Sequence, residues 1–232
     1  MTRLTTIKVK KKRLLAPDIL QVILVPNPAS TMEFLPGQYI SIHHEGIERY
    51  FSIANAPQED GALELHIRRL PGNDFTTYVF EVLSAGDTLS ISGPFGMFRL
   101  QPENGNHLIF VAGGTGFAPI KSFIEHHLEM NLRRPIRLYR GARSKADLYL
   151  DDLCRHWQRQ HLIDYIPVLS DADEDTAWHG RKGMVHEAIV RDQPRLEDCE
   201  VYACGPPAMI TALRGTLLGC GLPPRQFHSE GG

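Results

Sequence analysis

The hydrophobic period of this chain changes once, near residue 104, and that change limits the fold more than any other feature. Before it, apolar and polar residues alternate in short segments such as 39–42, 63–67 and 88–91. A period of two is typical of strands that bury one face. Turn signals such as Pro36-Gly37 separate these segments. The first half is therefore predicted to be a small antiparallel barrel or sandwich, and we favour the barrel.

Beyond the polar stretch 101–106, which is the best linker candidate, apolar runs alternate with helical patterns. The run 108–112 has no alternation, as expected for a strand covered on both faces, and 117–130 carries an apolar helical stripe. Further apolar runs lie at 136–139, 163–169 and 201–203, with helical patterns near 147–160, 184–191 and 207–219. This order predicts βαβ units around a parallel sheet. We predict an antiparallel β-barrel domain over 1–103 and a nucleotide-binding α/β domain over 104–232.

Composition excludes several classes of protein. A formal net charge of −2 over 232 residues gives no broad basic field for nucleic acid. No apolar run is long enough to span a bilayer, and residues 1–15 lack the apolar segment of a signal peptide. The spacing of Cys154, Cys199, Cys204 and Cys220 matches neither zinc nor iron–sulfur sites. We therefore expect a reduced cytoplasmic protein without membrane insertion, in which any iron–sulfur centre belongs to another polypeptide or to a domain absent from this sequence.

Two other polar clusters are predicted to be solvated surfaces. Histidines lie beside glutamates at 43–45 and 126–129, but neither spacing fits a zinc site, so no metal site is predicted. The basic run Lys8–Lys12 is expected along an exposed edge of the first strand, where lysines deter mispairing. Docking of an acidic electron carrier is the alternative for this run.

A glycine-rich turn, 113–119 (GGTGFAP), joins a predicted buried strand to a helix. Its glycines permit positive φ and close approach of a phosphate, which the helix N-terminus would attract. The pattern departs from a dinucleotide fingerprint because Pro119 replaces the last glycine and basic residues replace the acid after the second strand. A P-loop is excluded, since no Gly-Lys-Ser/Thr follows. A plain tight turn is the alternative to a phosphate site.

A second candidate site follows the strand at 201–203. Ligands of open α/β sheets bind beyond the carboxyl ends of strands, which is where Cys204, Gly205 and Pro206 are predicted to lie. Taken alone, Cys204 is better explained as a buried structural thiol, whereas the Gly-Pro-Pro and the helical pattern that follow it favour a strand-end site.

Four motifs occur in order: 49–55 (RYFSIAN), 93–96 (GPFG), 113–119 (GGTGFAP) and 202–209 (YACGPPAM). In this order they resemble the ferredoxin–NADP reductase superfamily over nearly the whole chain. The resemblance is closest to the FAD and NAD(P) module of oxygenase reductases, CDP-6-deoxyglucoseen reductases and NAD(P)H-flavin reductases, without an iron–sulfur domain. It implies an FAD-binding barrel followed by an NAD(P)-binding α/β domain.

The resemblance also implies an FAD site. Arg49 would pair with the pyrophosphate through planar, permanently charged donors, Tyr50 would pack on the flavin, and Ser52 would lie near ring atom N5. The loop 72–77 would hold phosphates, with hydroxyl groups from its two threonines. The implied FAD-binding residues are Arg49, Tyr50, Phe51, Ser52, His66, Arg68, Gly72, Phe75, Thr76 and Thr77.

The implied nicotinamide site combines a strand-end cysteine, Cys204, with an acidic residue near the C-terminus, Glu230. With Ser52 they form the implied catalytic set. Relatives usually end on an aromatic residue where this chain has Gly232, so we expect either a less covered flavin face or a tail missing from this sequence. The implied nucleotide-binding residues are Gly114, Thr115, Gly116, Pro119, Arg143, Cys204, Gly205 and Pro206.

The pyridine nucleotide is open between NADH and NADPH. Arg140, Arg143 and Lys145 follow the second predicted strand and could pair with a 2′-phosphate, which favours NADPH. The subgroup that this chain resembles more often uses NADH, and we favour NADH.

The implied activity is hydride transfer from C4 of NAD(P)H to N5 of FAD, followed by electron release to a separate iron–sulfur protein or oxygenase component. One alternative is a flavin reductase that releases reduced free flavin. The other is a redox-silent dinucleotide-binding regulator, which the intact motif 49–55 and Cys204 disfavour.

Overall fold

The computed structural model describes residues 4–26, 32–101, 106–132, 134–172, 178–193 and 195–230. The chain forms two compact units, one of residues 1–100 with 121–130 and one of residues 101–120 with 131–232. The predicted domain boundary and residues 102–105 of the predicted linker lie outside the described residues. The prediction had assigned 121–130 to the second domain, whereas these residues group with the first unit.

The first unit is built on a six-stranded antiparallel sheet of order β4-β3-β6-β1-β2-β5. The strands are β1 (Thr5–Ala16), β2 (Ile19–Pro26), β3 (Tyr39–His44), β4 (Ile47–Ser52), β5 (Leu63–Arg68) and β6 (Thr88–Phe95). A single bridge from Ile53, just after β4, to Leu65 of β5 links the two edges of the sheet without a continuous ladder. The antiparallel barrel-like class predicted from the alternation is thereby confirmed.

Alternation along β5 shows how this sheet makes its core. Leu63, Leu65 and Ile67 are fully buried in a cluster that other strands complete. The intervening Glu64 and His66 are also buried, on the opposite face. The polar face of β5 is therefore covered as well.

Most of the basic run Lys8–Lys12 lies along a strand edge, as predicted. β6 pairs with β1 only over Thr5–Lys8, whereas from Lys10 onward β1 pairs, among the described residues, with β2 alone. Lys12 is the half-buried member of the run. Lys12 Nζ donates to the carbonyl oxygens of Val79, Phe80 and Leu83 at 3.0, 3.1 and 2.6 Å. These carbonyls close a helical segment formed by α1 (Asp74–Thr77) and a π-helical turn (Tyr78–Val82). A cation at a helix C-terminus is stabilising, so Lys12 supports this segment in addition to lying on the strand edge.

The second unit is built on a six-stranded parallel sheet of order β10-β9-β8-β7-β11-β12. Its strands are β7 (His107–Gly113), β8 (Ile136–Ala142), β9 (Asp164–Leu169), β10 (Arg181–Lys182), β11 (Cys199–Cys204) and β12 (Phe227–Glu230). Its helices are α3 (Asp151–Arg159), α4 (Val185–Asp192) and α5 (Pro207–Gly219), together with the start of α2 (Phe117–Glu129), whose residues from Lys121 onward group with the first unit. The predicted α/β class is confirmed. The short strands β10 and β12 were not predicted, because two to four residues show no period.

The described residues give three further findings. In this part of the chain no helix is both long and apolar enough to cross a membrane. Nor does any group of three or more His, Cys, Asp or Glu side chains there have an arrangement that could hold a metal ion. All four cysteines are free thiols, and only Cys220 is exposed.

Candidate active site

The motif 49–55 begins on β4, where alternate side chains face opposite ways. Tyr50 is 59% exposed, and its ring lies edge-on to Tyr39 with 5.8 Å between centroids. Phe51 faces the core and stacks on Phe75 at 5.7 Å. An exposed aromatic ring offers an apolar face to a planar ligand. The strand therefore presents Tyr50 outward and packs Phe51 and Phe75 inward.

Arg49 and Ser52 flank this ring along the strand. Arg49 is exposed, and its Nη1 donates to the carbonyl of Glu48 at 2.8 Å. Among the described residues no carboxylate pairs with Arg49, so its charge is available to an anion. Ser52 ends β4 and is half-buried. In the described part of the chain its hydroxyl makes no hydrogen bond. Both side chains could therefore take a ligand's phosphate or ring atoms as partners.

The loop before α1 is held in shape by its own side chains. The Asn73 side chain accepts a hydrogen bond from the Thr76 amide at 3.0 Å. The buried Thr76 hydroxyl accepts from the Leu70 amide at 3.1 Å and donates to the Leu70 carbonyl at 3.2 Å. Gly72 adopts φ +70°, which glycine allows without strain. Thr76 thus shapes the loop, while Thr77 remains half-buried at its rim.

His66 belongs to a buried polar cluster rather than to the surface. Its Nε2 lies 2.7 Å from Glu64 Oε1, and Lys121 Nζ donates to Glu64 Oε2 at 3.0 Å. Burial acts to raise the pKa of Glu64, but the hydrogen bond from His66 and the Lys121 charge outweigh it and hold that pKa far below the ordinary value. Arg68 lies 3.1 Å from Asp18. The His66 side chain therefore binds Glu64, its neighbour on the same face of β5.

In the second unit, the turns at the carboxyl ends of β7 and β11 pack against each other. Ala112 and Cys204 are paired along the two neighbouring strands. A Cβ on Gly116 would overlap the Cys204 carbonyl, and one on Gly205 would lie 2.5 Å from Met209 Cε. Only glycine fits at 116, where the obstacle is backbone, whereas the flexible end of Met209 could move away from a Cβ on Gly205. β8 and β11 flank β7 on opposite sides, so this edge is the switch point of the sheet, where ligands of such folds bind.

The glycine-rich turn 113–119 contains a glycine with positive φ, as its sequence permits. Gly114 adopts φ +53° in the short turn between β7 and α2, and Thr115 is half-buried beside it. Pro119 lies in the first turn of α2, where its missing N–H removes no helical hydrogen bond. Backbone N–H groups of a helix N-terminus attract phosphate.

Cys204 and Glu230 are brought together by strand pairing. Cys204 ends β11 and lies opposite Glu230 of β12. Burial, reinforced by the Glu230 carboxylate, raises the pKa of the Cys204 thiol to about 12. The thiol is therefore expected to be protonated at neutral pH, where it offers an apolar surface and not a thiolate.

A cleft of about 430 Å³ follows the ends of β8 and β9. Arg143 and Asp171 line it and lie 3.3 Å apart. The Ser170 hydroxyl and the Arg143 guanidinium lower the pKa of Asp171. Asp147 lines the same cleft and accepts from the Ser144 hydroxyl at 2.9 Å. Neither aspartate was predicted as a site residue; the available signal was that Asp171 lies two residues after the predicted strand 163–169.

Arg140, predicted near a 2′-phosphate, is fully buried instead. Its guanidinium lies 3.8 Å from the centroid of the Phe117 ring, and Nη1 donates to the Tyr149 carbonyl at 3.1 Å. That prediction was wrong. Which groups surround a strand residue depends on the register of the sheet, and the sequence does not show that register. Arg143 and Lys145 are the basic residues that line the cleft.

Family models and known relatives match this architecture. The oxidoreductase FAD-binding domain matches residues 6–100 and the oxidoreductase NAD-binding domain matches 110–215. Protein RfbI of Salmonella typhimurium is 39% identical over 224 residues, which are 96% of this chain and 66% of that protein. The terephthalate 1,2-dioxygenase reductase component 2 of Comamonas is 37% identical over 97% of this chain and 67% of its own length. The chain thus spans about two thirds of the length of these relatives.

A further relative and two solved structures agree. The CDP-6-deoxy-L-threo-D-glycero-4-hexulose-3-dehydrase reductase of Yersinia pestis is 38% identical over 92% of this chain and 64% of its own length. The Amycolatopsis cytochrome P450 reductase GcoB superposes with a TM-score of 0.88 at 33% identity, over 99% of this chain and 69% of that one. A ferredoxin reductase in carbazole 1,9a-dioxygenase gives 0.87 at 27% identity, over the same shares. The chain therefore belongs to the ferredoxin–NADP reductase superfamily of FAD- and NAD-binding oxidoreductases.

Proposed function

We propose that this chain takes hydride from NADH onto FAD and passes the electrons singly to a separate iron–sulfur protein or oxygenase component. The observation that carries the proposal is the switch-point edge, where Gly116 contacts Cys204 and Cys204 faces Glu230. The relatives named as reductases of a dioxygenase and of a hexulose dehydrase support the class of acceptor.

Residues of the first unit fit FAD. Bound FAD supplies a ring that accepts a hydride and releases electrons one at a time. Arg49, exposed and without a carboxylate partner in the described chain, would pair with the pyrophosphate. Tyr50 would cover one face of the ring, and the Ser52 hydroxyl would donate a hydrogen bond at its reacting edge. The loop 72–77 would approach the phosphates through its backbone and Thr77.

Residues of the second unit fit a dinucleotide. The turn 114–116 and the first turn of α2 would hold the pyrophosphate through backbone N–H groups. Cys204, protonated and packed at the strand end, would support the nicotinamide ring. Glu230 would fix the orientation of the ring as a hydrogen-bond acceptor. Holding the two reacting rings in one orientation is chiefly a proximity effect.

NADH is favoured over NADPH because of the charges in the cleft beside β8 and β9. Arg143 is already paired with Asp171, and Asp147 adds a second carboxylate. Two carboxylates repel a 2′-phosphate, whereas either can accept a hydrogen bond from a ribose hydroxyl. We expect kcat/KM for NADH to exceed that for NADPH by about tenfold or more, or 1.4 kcal/mol. Equal values, or a preference for NADPH, would contradict this assignment.

Anaerobic titration with NADH tests the proposed function. FAD-loaded protein should lose its visible flavin absorbance on addition of NADH and should keep its flavin through desalting. A colourless protein that oxidises NADH only with added flavin would identify a flavin reductase instead. Retained flavin that NADH and NADPH both fail to bleach would identify a redox-silent regulator.

A further inference from the structure

A buried charged cluster lies on β11 and β12, two residues before the Cys204–Glu230 pair. This Glu200 cluster consists of Arg134, Glu200, Tyr202 and His228. Glu200 Oε2 accepts from Arg134 Nη2 at 2.5 Å. Its Oε1 accepts from the Tyr202 hydroxyl at 3.2 Å and from His228 Nε2 at 3.1 Å. The Tyr202 and His228 rings stack, with centroids 4.6 Å apart and planes at 18°.

Glu200 and Arg134 form a buried ion pair. The side chains of Glu200 and Arg134 are only 3% and 7% exposed. Burial acts to raise the pKa of Glu200, but hydrogen bonds from His228 and Arg134 outweigh it and lower that pKa to about 2. Arg134 Nε also donates to the Asn106 carbonyl at 2.5 Å, next to the start of β7. A buried charge with satisfied partners resists displacement, because any movement would leave it unpaired.

Strand pairing connects this cluster to the nicotinamide site. Tyr202 pairs with His228, and Cys204 pairs with Glu230 two residues later. Alternate residues of a strand share one face, so His228 and Glu230 lie on the same side of β12. β12 is an edge strand of four residues that pairs only with β11. Short edge elements open locally at low cost unless side chains hold them.

We propose that Glu200 and His228 are positioning residues that hold β12 in place, and so keep Glu230 opposite Cys204 for hydride transfer. This inference rests on the proposed function. Neither residue is assigned a contact with the nucleotide, since both act through the strand that carries Glu230.

Amide hydrogen exchange tests whether Glu200 and His228 hold β12 in place, and it needs neither cofactor nor turnover. His228→Phe keeps a stacking ring and removes the hydrogen bond to Glu200, while Glu200→Gln keeps the shape and removes the charge. Both variants should lower exchange protection of residues 228–230 by about tenfold, or 1.4 kcal/mol. His156→Phe, on the exposed face of α3, is the matched control and should leave that protection unchanged. Unchanged protection in both cluster variants would overturn the inference.

A double-mutant cycle with Glu230→Ala tests whether the cluster acts on hydride transfer through Glu230. In the wild-type background, His228→Phe should slow anaerobic flavin reduction by about tenfold, or 1.4 kcal/mol, with FAD still bound. In the Glu230→Ala background the same substitution should change the rate by less than about twofold, because the group it positions is gone. Equal slowing in both backgrounds would overturn the positioning role. Failure of wild-type protein to bleach would overturn the proposed function, and the exchange result distinguishes the two failures.

Discussion

The two candidate sites are built from different parts of the chain. In the first unit, the site consists of side chains projecting from β4, with Tyr50 exposed and Arg49 free of a described carboxylate partner. In the second unit, the turn that would hold the dinucleotide phosphates consists of backbone, and Gly116 lies so close to the Cys204 carbonyl that no side chain fits. The first site should therefore depend on the chemistry of single side chains. The phosphate turn of the second site should depend on the absence of side chains.

The largest expected effect comes from adding one methyl group to the backbone site. Gly116→Ala would place a Cβ against the Cys204 carbonyl, which can relax only by moving the strand end. We expect the free energy of unfolding to fall by about 3 kcal/mol, and NADH binding to be lost. Thermal or urea unfolding and a binding titration would measure both.

Gly215→Ala is the matched control for that substitution. Gly215 lies in α5, where nothing is within 4 Å of an added Cβ. Alanine should raise the free energy of unfolding there by about 1 kcal/mol, because alanine is the better helix former. If Gly116→Ala were equally harmless, the backbone description of the second site would fail.

A smaller effect is expected from removing one side-chain group in the first site. Ser52→Ala should slow flavin reduction by about tenfold, or 1.4 kcal/mol in barrier, while FAD binding and unfolding change little. Stopped-flow reduction under anaerobic conditions would measure the rate. A normal rate with flavin fully bound would exclude the hydroxyl from the reaction.

The smallest effect concerns the scaffold of the first site. Lys12→Met removes the ammonium that binds the carbonyls of Val79, Phe80 and Leu83. Water can reach this half-buried position, so the free energy of unfolding should fall by only about 1 kcal/mol. Lys11→Met, at an exposed position on the same strand, should change it by less than about 0.5 kcal/mol. Equal effects of the two substitutions would show that the lysine contacts do not stabilise the helical segment.

The sequence predicted which segments are strands and which are helices. It did not predict which segments pack against one another. The uninterrupted apolar run at 108–112 correctly indicated a strand covered on both faces, and β7 is that strand. Alternation in 63–67 correctly assigned Leu65 to the core. Neither pattern could show that Lys12 binds the carbonyls of the helical segment 74–82 or that the polar face of β5 is covered too.

Buried polar residues were the main failure of sequence reasoning. Arg140 was predicted near a 2′-phosphate, yet it is fully buried. The burial of Glu64 beside His66 was not predicted either. Charged residues within apolar strands, such as Glu200 in β11, were the available signal. A charge in such a run is tolerated only when a partner from elsewhere compensates for lost solvation.

The sequence by itself determined the two-part architecture, the class of each half and the glycine turn, because periodicity and turn chemistry act over a few neighbouring residues. Only the tertiary structure decided that Cys204 faces Glu230, that Gly116 meets the Cys204 carbonyl and that Glu200 is ionised beneath His228. Those properties depend on the register of strands far apart in the chain. The physical reason is that burial and pairing of polar groups are set by three-dimensional neighbours, which no local pattern specifies.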